Sequence, residues 1–225
     1  ARNPAKRAEL KTLFAREAGA NAVYPLDDRL TMARFLAAAP RPRARYTYWG
    51  AGISIPAVNA APLLSVPFTI SASLDLPAVP VSGAIVALGS KFAGWSFHVV
   101  DGVPAATIAA SQLPGDQYTV TARKALPAGK VTLEFQFDRE SGVNAGGEMI
   151  IRANGEETGR GSIRRTISKL VEQTDTFDVG FDADTPVVEG PASAPFSGTI
   201  DRVDVMPVLP SRPAPAASPT AAPAQ

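Results

Sequence analysis

From Lys130 to Phe137 the side chains alternate without a break, with Val131, Leu133, Phe135 and Phe137 on one side and Lys130, Thr132, Glu134 and Gln136 on the other. A period of two is the spacing of a strand, and no helix can bring those four apolar groups onto one face. The chain must therefore build a sheet with one buried and one wet side. Tyr118, Val120 and Ala122 repeat the pattern upstream, and Leu126 Pro127 Ala128 Gly129 supplies turn chemistry between the two runs. Asp101 Gly102 and Asn154 Gly155 favour type I′ turns, whose twist suits tight hairpins. The first joins Trp95–Val100 to Val103–Ala109, and the second follows Glu148–Ala153. Runs at Val66–Leu74, Ala84–Leu88 and Thr199–Val205 bring the expectation to about ten strands at turn-separated intervals, as in sandwiches and barrels. The expected fold is mainly β: a jelly-roll (concanavalin-like) antiparallel β-sandwich preceded by one N-terminal α-helix.

That helix is announced by Asn3 as N-cap and Pro4 at the first helical position, where a missing N–H costs nothing. Leu10, Leu13, Phe14 and Ala18 form one apolar stripe, and Gly19 offers a left-handed stop. An isolated helix of this length is marginal in water, so the stripe is expected to lie on the sandwich or on another domain. A second helix begun around Leu30 to Leu36 is broken by Pro40 Arg41 Pro42 Arg43. The domains expected are a leading helix and linker over 1–45, the remnant of a junction to a catalytic domain; a sandwich over 46–206; and a Pro/Ala-rich disordered tail over 207–225. No repeat of fixed period is present.

Charge is unevenly placed. Ala1–Arg45 holds 10 basic and 4 acidic residues, and the remainder holds 12 and 17. An excess of basic residues on a short lead does not make a nucleic-acid-reading surface, and an acidic neighbour for that lead is the expectation. With no cysteine there is no disulfide, no thiolate metal site and no thiol nucleophile. No apolar run approaches the length of a membrane span. The start, Ala1 Arg2 Asn3 Pro4, has neither methionine nor a signal-peptide apolar region, which predicts a piece lacking its true beginning.

Candidate chemistry is sparse. His98 is the lone histidine, expected to face solvent with Ser96 on a strand whose Trp95, Phe97 and Val99 point inward. No Gly-x-Ser-x-Gly elbow and no His-x-x-x-His pair accompany it. Asp27 Asp28 has the oxygen donors of a hard-cation site, but Arg29 and Arg34 offer ion-pair partners. Asp175, Asp178, Asp182 and Asp184 lie close in sequence around Gly180. They read either as a calcium-type ligand set without EF-hand spacing or as a surface turn closed by Pro186. Gly142 to Gly147 lacks the strand-to-helix context and the lysine of a phosphate loop. Trp49, Trp95, Tyr46 and Tyr48 are candidates for stacking on sugar rings, although aromatics at β spacing more often fill a core.

Several segments together carry a resemblance. They are Asn3 Pro4 Ala5 Lys6; Tyr24 Pro25 Leu26 Asp27 Asp28 Arg29; Gly94 Trp95 with Asp101 Gly102; Leu126 Pro127 Ala128 Gly129 Lys130; Thr176 Phe177 Asp178 Val179 Gly180 with Asp184 Thr185 Pro186 Val187; and Phe196 Ser197 Gly198 Thr199 Ile200. In these the chain resembles the carboxy-terminal region of long bacterial arylsulfatases of the formylglycine-dependent (type I) sulfatase family. The resemblance implies a sulfatase catalytic domain as partner, formylglycine and calcium in that missing domain alone, and a periplasmic or secreted location. The formylglycine motif, Cys-x-Pro-x-Arg or its serine version, is absent here, so no family site residue transfers. The chain is thus expected to carry no catalytic, cofactor-binding or metal-ligating residue of its own. The first functional expectation is a non-catalytic accessory domain of a sulfuric ester hydrolase. The alternative is a free-standing, lectin-like carbohydrate-binding sandwich.

Overall fold

A computed structural model describes residues 3–23, 43–61, 63, 66–142, 145–167 and 175–209. The chain divides into two compact units, Ala1–Arg41 and Pro42–Gln225.

In the first unit, helix α1 spans Pro4–Ala20. Asn3 occupies the N-cap position without a side-chain cap bond, and its carbonyl accepts the Arg7 N–H. The stop lies beyond Gly19. Ala22 takes a left-handed φ of 52°, the Val23 N–H donates to the Ala18 carbonyl, and the Ala22 N–H donates to that of Gly19. This is a Schellman arrangement with alanine where glycine was expected. Leu10, Leu13 and Phe14 of the stripe are about half exposed, and only Ala18 is buried. No described helix is long and apolar enough to cross a membrane.

The second unit is the antiparallel sandwich. Its strands are β1 (Tyr46–Trp49), β2 (Ile53–Pro56), β3 (Phe68–Leu76), β4 (Gly83–Ser90), β5 (Ala93–Val100), β6 (Val103–Ala109), β7 (Gln117–Thr121), β8 (Gly129–Arg139), β9 (Gly147–Ala153), β10 (Glu156–Ile163), β11 (Thr176–Val179) and β12 (Thr199–Pro207). The first sheet runs β1-β12-β3-β8-β9-β10 and the second β2-β11-β4-β5-β6-β7. Both Asp-Gly and Asn-Gly hairpins form as the dipeptides predict, with Asp101 and Asn154 each at φ 50°.

The inward residues of β8 meet an aromatic cluster that joins the sheets. Phe68 lies 5.4 Å from Phe135 on its own sheet and 5.5 Å from Trp95 on the opposite one, and Phe97 lies 5.5 Å from Phe135. Tyr48 closes the edge at 4.8 Å from Phe177. Burying rings of this size supplies much of the driving force for pairing the layers.

The two sheets differ on their outer faces. The first alternates buried and wet, as its sequence predicts. The central strands of the second are buried on both faces. Its outward row reads Ser54, Asp178, Ala87, Ser96, Thr107 and Thr119 in register, with Ala84, His98 and Ala105 alongside. Residues 181–198 cross part of this face. The turn at Gly190–Ala192 lies against β4 and β5, the Ala84 N–H donates to the Ala194 carbonyl, and Gln117 Nε2 donates to the Val187 carbonyl. Small side chains permit that approach: a Cβ on Gly83 would lie 2.5 Å from the Phe196 Cα.

Candidate functional site

The outer face of the first sheet is where polar chemistry stays accessible. Register sets two rows across it. One passes from Thr47 through Asp204 and Ser71 to Glu134 and Arg152, and the next from Trp49 through Arg202 and Ser73 to Thr132. Trp49 ends the second row on edge strand β1, 69% exposed, with the Arg202 guanidinium carbon 5.6 Å from its ring centroid. A cation over an indole face holds the ring in place and leaves the opposite face bare.

Asp204 anchors this end of the sheet. Its carboxylate is 3% exposed and accepts from Arg45 Nε at 3.0 Å, from a second Arg45 nitrogen, and from Thr47 Oγ1 at 2.7 Å. Arg202 Nε stands 3.0 Å from Asp204 Oδ2, the oxygen that also accepts from Arg45, and adds to the pairing without hydrogen-bond alignment. The Arg45 hydrogen bond foremost, with Thr47 and Arg202 adding, holds the Asp204 carboxyl below the ordinary carboxylate range against the opposing effect of burial. Because Asp204 fixes both arginines, Arg202 sits where it can support Trp49. Further along, Arg152 donates to Gln136 Oε1, and Arg160 is held by Glu148 and Glu157. Donors, acceptors and one bare aromatic ring thus share a single broad surface, which suits a polyhydroxylated ligand.

The other predicted residues fall elsewhere. Trp95 is 1% exposed and belongs to the core, and Tyr46 and Tyr48 are half-buried against it, so only Trp49 of the four aromatics can meet a ligand. Burial pushes the Tyr48 hydroxyl above its usual range. His98 does point away from the core, but the expectation that it faces solvent is corrected: it is 4% exposed, with Nδ1 3.3 Å from Ser96 Oγ. Desolvation lowers its pKa to about 4, so the ring is neutral, and the side chain it meets is the Ser96 hydroxyl, neither a base nor a carboxylate.

The acidic segment around Gly180 is no surface turn. Thr176–Val179 forms β11 inside the second sheet, and Asp178 and Asp182 are both buried while Asp184 is exposed. Asp178 Oδ2 accepts from Thr176 Oγ1 at 2.8 Å and the Ala183 N–H at 3.1 Å, and Asp182 Oδ2 accepts from the Val187 N–H at 2.9 Å. Burial first, and the Asp178 charge last, raise the Asp182 pKa to about 7 against the Val187 hydrogen bond. Among the described residues no three His, Cys, Asp or Glu side chains converge as a metal set. Asp27, Asp28, the Leu30–Leu36 segment and the tail from residue 210 lie outside the described residues.

No protein-family model matches the chain, and no curated protein matches it. Solved structures do share the fold. A Ruminococcus gnavus IT-sialidase CBM40, solved bound to α2,3-sialyllactose, aligns at TM-score 0.50 and 14% identity over 72% of this chain and 90% of its own. The K499G mutant of Streptococcus pneumoniae NanB sialidase aligns at TM-score 0.52 and 18% identity over 72% of this chain and 26% of its own. At such identities these likenesses establish a two-sheet sandwich of the jelly-roll class. They overturn the arylsulfatase resemblance: the solved structures that share the fold include a sialidase and a sialidase CBM40, and a sulfatase catalytic domain as partner is left without support.

Proposed function

We propose that this sandwich is a carbohydrate-binding module that takes its ligand on the outer face of the first sheet, with Trp49 as the platform for a sugar ring. The observation that carries the reading is the exposure of that one indole. Every other large ring of the described sandwich except Phe92 is at least half-buried, whereas Trp49 stands on a row of hydroxyl and charged side chains with Arg202 as support. The C–H face of a pyranose stacks on an indole, and hydroxyls exchange hydrogen bonds with groups such as Ser71, Ser73 and Glu134. A solved module of the same fold is described as bound to sialyllactose, which supports the ligand class.

Removing a central tryptophan contact costs on the order of 1.4 kcal/mol or more, a factor of about ten in affinity. The test is a glycan array followed by affinity electrophoresis in the glycans that bind. Trp49→Ala is expected to lose retention about tenfold while keeping the fold. Retention of wild type and Trp49→Ala by the same glycans with equal strength, or absence of any retained glycan, overturns the reading.

A further inference from the structure

The crossing of the second sheet hides an electrostatic imbalance. Asp178 is 2% exposed on β11, and Asp182 is 7% exposed where residues 181–198 leave that strand. Asp178 Oδ2 already accepts two hydrogen bonds, but its Oδ1 is sealed from solvent and accepts none. Neither carboxyl has an ion-pair partner among the described residues, although Lys, Arg and acidic groups pair freely elsewhere on the sandwich. Across the sheet the register neighbours of Asp178 are Ser54 and Ala87, followed by Ser96, all uncharged. Two ionised carboxylates cannot be buried together without a compensating charge, because desolvation penalises each and their repulsion is little screened.

We infer that Asp178 and Asp182 bind a hard divalent cation of the calcium class, with Asp178 Oδ1 as the principal free donor. Carboxylate oxygens with neutral oxygens are the donor set such an ion accepts, and its flexible coordination tolerates a site with two charged ligands completed by carbonyl groups or water. A thiolate- or imidazole-seeking ion has nothing to take here: the chain has no cysteine, and its one histidine is paired with Ser96. The cation would tie the start of the crossing segment to β11. Asp182 also donates its N–H to the Ser193 carbonyl, so both ends of that segment are fastened at one point. Exposed Asp184, at φ 51°, takes no part.

The test uses the full chain stripped with EDTA, titrated with calcium chloride at about pH 7.5 by calorimetry, with melting temperature read in parallel. One ion per chain is expected, and at about a hundredfold excess over Kd the melting temperature should rise by roughly 5 to 10 °C. Asp178→Asn and Asp182→Asn should each bind at least tenfold more weakly, and Asp184→Asn should bind like wild type. If the asparagine variants fail to fold, the wild-type titration alone decides. Absence of both heat and melting shift at about 10 mM calcium overturns the assignment. So does a melting temperature that follows pH near 7 but ignores calcium, which would leave the pair sharing a proton only, and so does loss of binding in Asp184→Asn with retention in Asp178→Asn.

Discussion

Replacing His98 with asparagine should make the sandwich less sensitive to acid. The ring is buried on the outer face of the second sheet between Ala84 and Ala105 of neighbouring strands, and desolvation lowers its pKa to about 4, against the small upward effect of Ser96. An unfolded histidine titrates near 6.5. Above that value neither state carries the proton and the residue adds no pH dependence. Between about 6.5 and 4 the unfolded chain takes up a proton that the folded chain refuses, so stability falls as pH falls. Linkage over that interval gives about 2.5 kcal/mol of lost stability by pH 4.5. Asp182 acts with the opposite sign in metal-free buffer. Its folded pKa of about 7 lies above the ordinary carboxylate value, so the folded state keeps a proton the unfolded state releases, and stability falls as pH rises from about 4 to 7. The two slopes offset each other in the wild type, which makes a single pH series uninformative. The difference between wild type and His98→Asn removes every shared group. Urea unfolding followed by circular dichroism at about pH 7.5 and 4.5, in EDTA, should show the variant gaining about 2.5 kcal/mol on the wild type at the lower pH, a relative midpoint change of about 1 M at a typical slope. A wild-type-to-variant difference that is the same at both values refutes the assignment of a buried neutral ring.

Four further outcomes rest on the packing. Gly94→Ala would put a Cβ 2.5 Å from the Leu88 carbonyl oxygen and 2.6 Å from the Ser90 nitrogen, both backbone, so a loss of roughly 3 kcal/mol or more is expected by urea unfolding. Gly155→Ala, at φ 82° with open space around it, should cost only about 1 kcal/mol in the same measurement. Trp95→Ala empties the centre of the core and should cost about 3–5 kcal/mol, whereas Trp49→Ala should cost no more than about 1 kcal/mol. Asp204→Ala strips Arg45, Thr47 and Arg202 of their shared acceptor, for roughly 2 kcal/mol near neutral pH. Since its folded pKa is depressed, that stabilisation is present above the ordinary carboxylate value near 3.9 and lost as pH falls through the lower folded value, so the variant and wild type should converge in strong acid.

Sequence patterning located most of the strands because β8 and its neighbours in the first sheet keep one wet face. Lys130, Thr132, Glu134 and Gln136 advertise solvent, and the structure gives it to them. The second sheet defeats the same logic. Ser96, His98 and Thr107 have the polarity of outward residues, and outward they are, but residues 181–198 lie over part of that face from far along the chain. Only tertiary structure reveals that cover. Strands β1, β2 and β11 were illegible for a different reason: each is four residues long, and β11 carries an aspartate whose ordinary place is a turn. Ala84 and Ala87 hinted at a covered face, since small side chains are what a crossing segment needs. Trp49 was visible as one of four aromatics, yet its separation from Trp95 depends on which strand lies at a sheet edge. The row from Thr47 to Arg152 likewise exists only through the register of strands distant in sequence.

Residue-resolved NMR of the amide and indole N–H signals, during titration with the tightest glycan from the array, tests the carbohydrate-binding face most directly. The largest shifts should fall on the Trp49 indole and on Thr47, Arg202, Ser71 and Ser73, with the Trp95 indole unmoved. Shifts centred on the second sheet or on its crossing segment, with the Trp49 signal unchanged, would contradict the account.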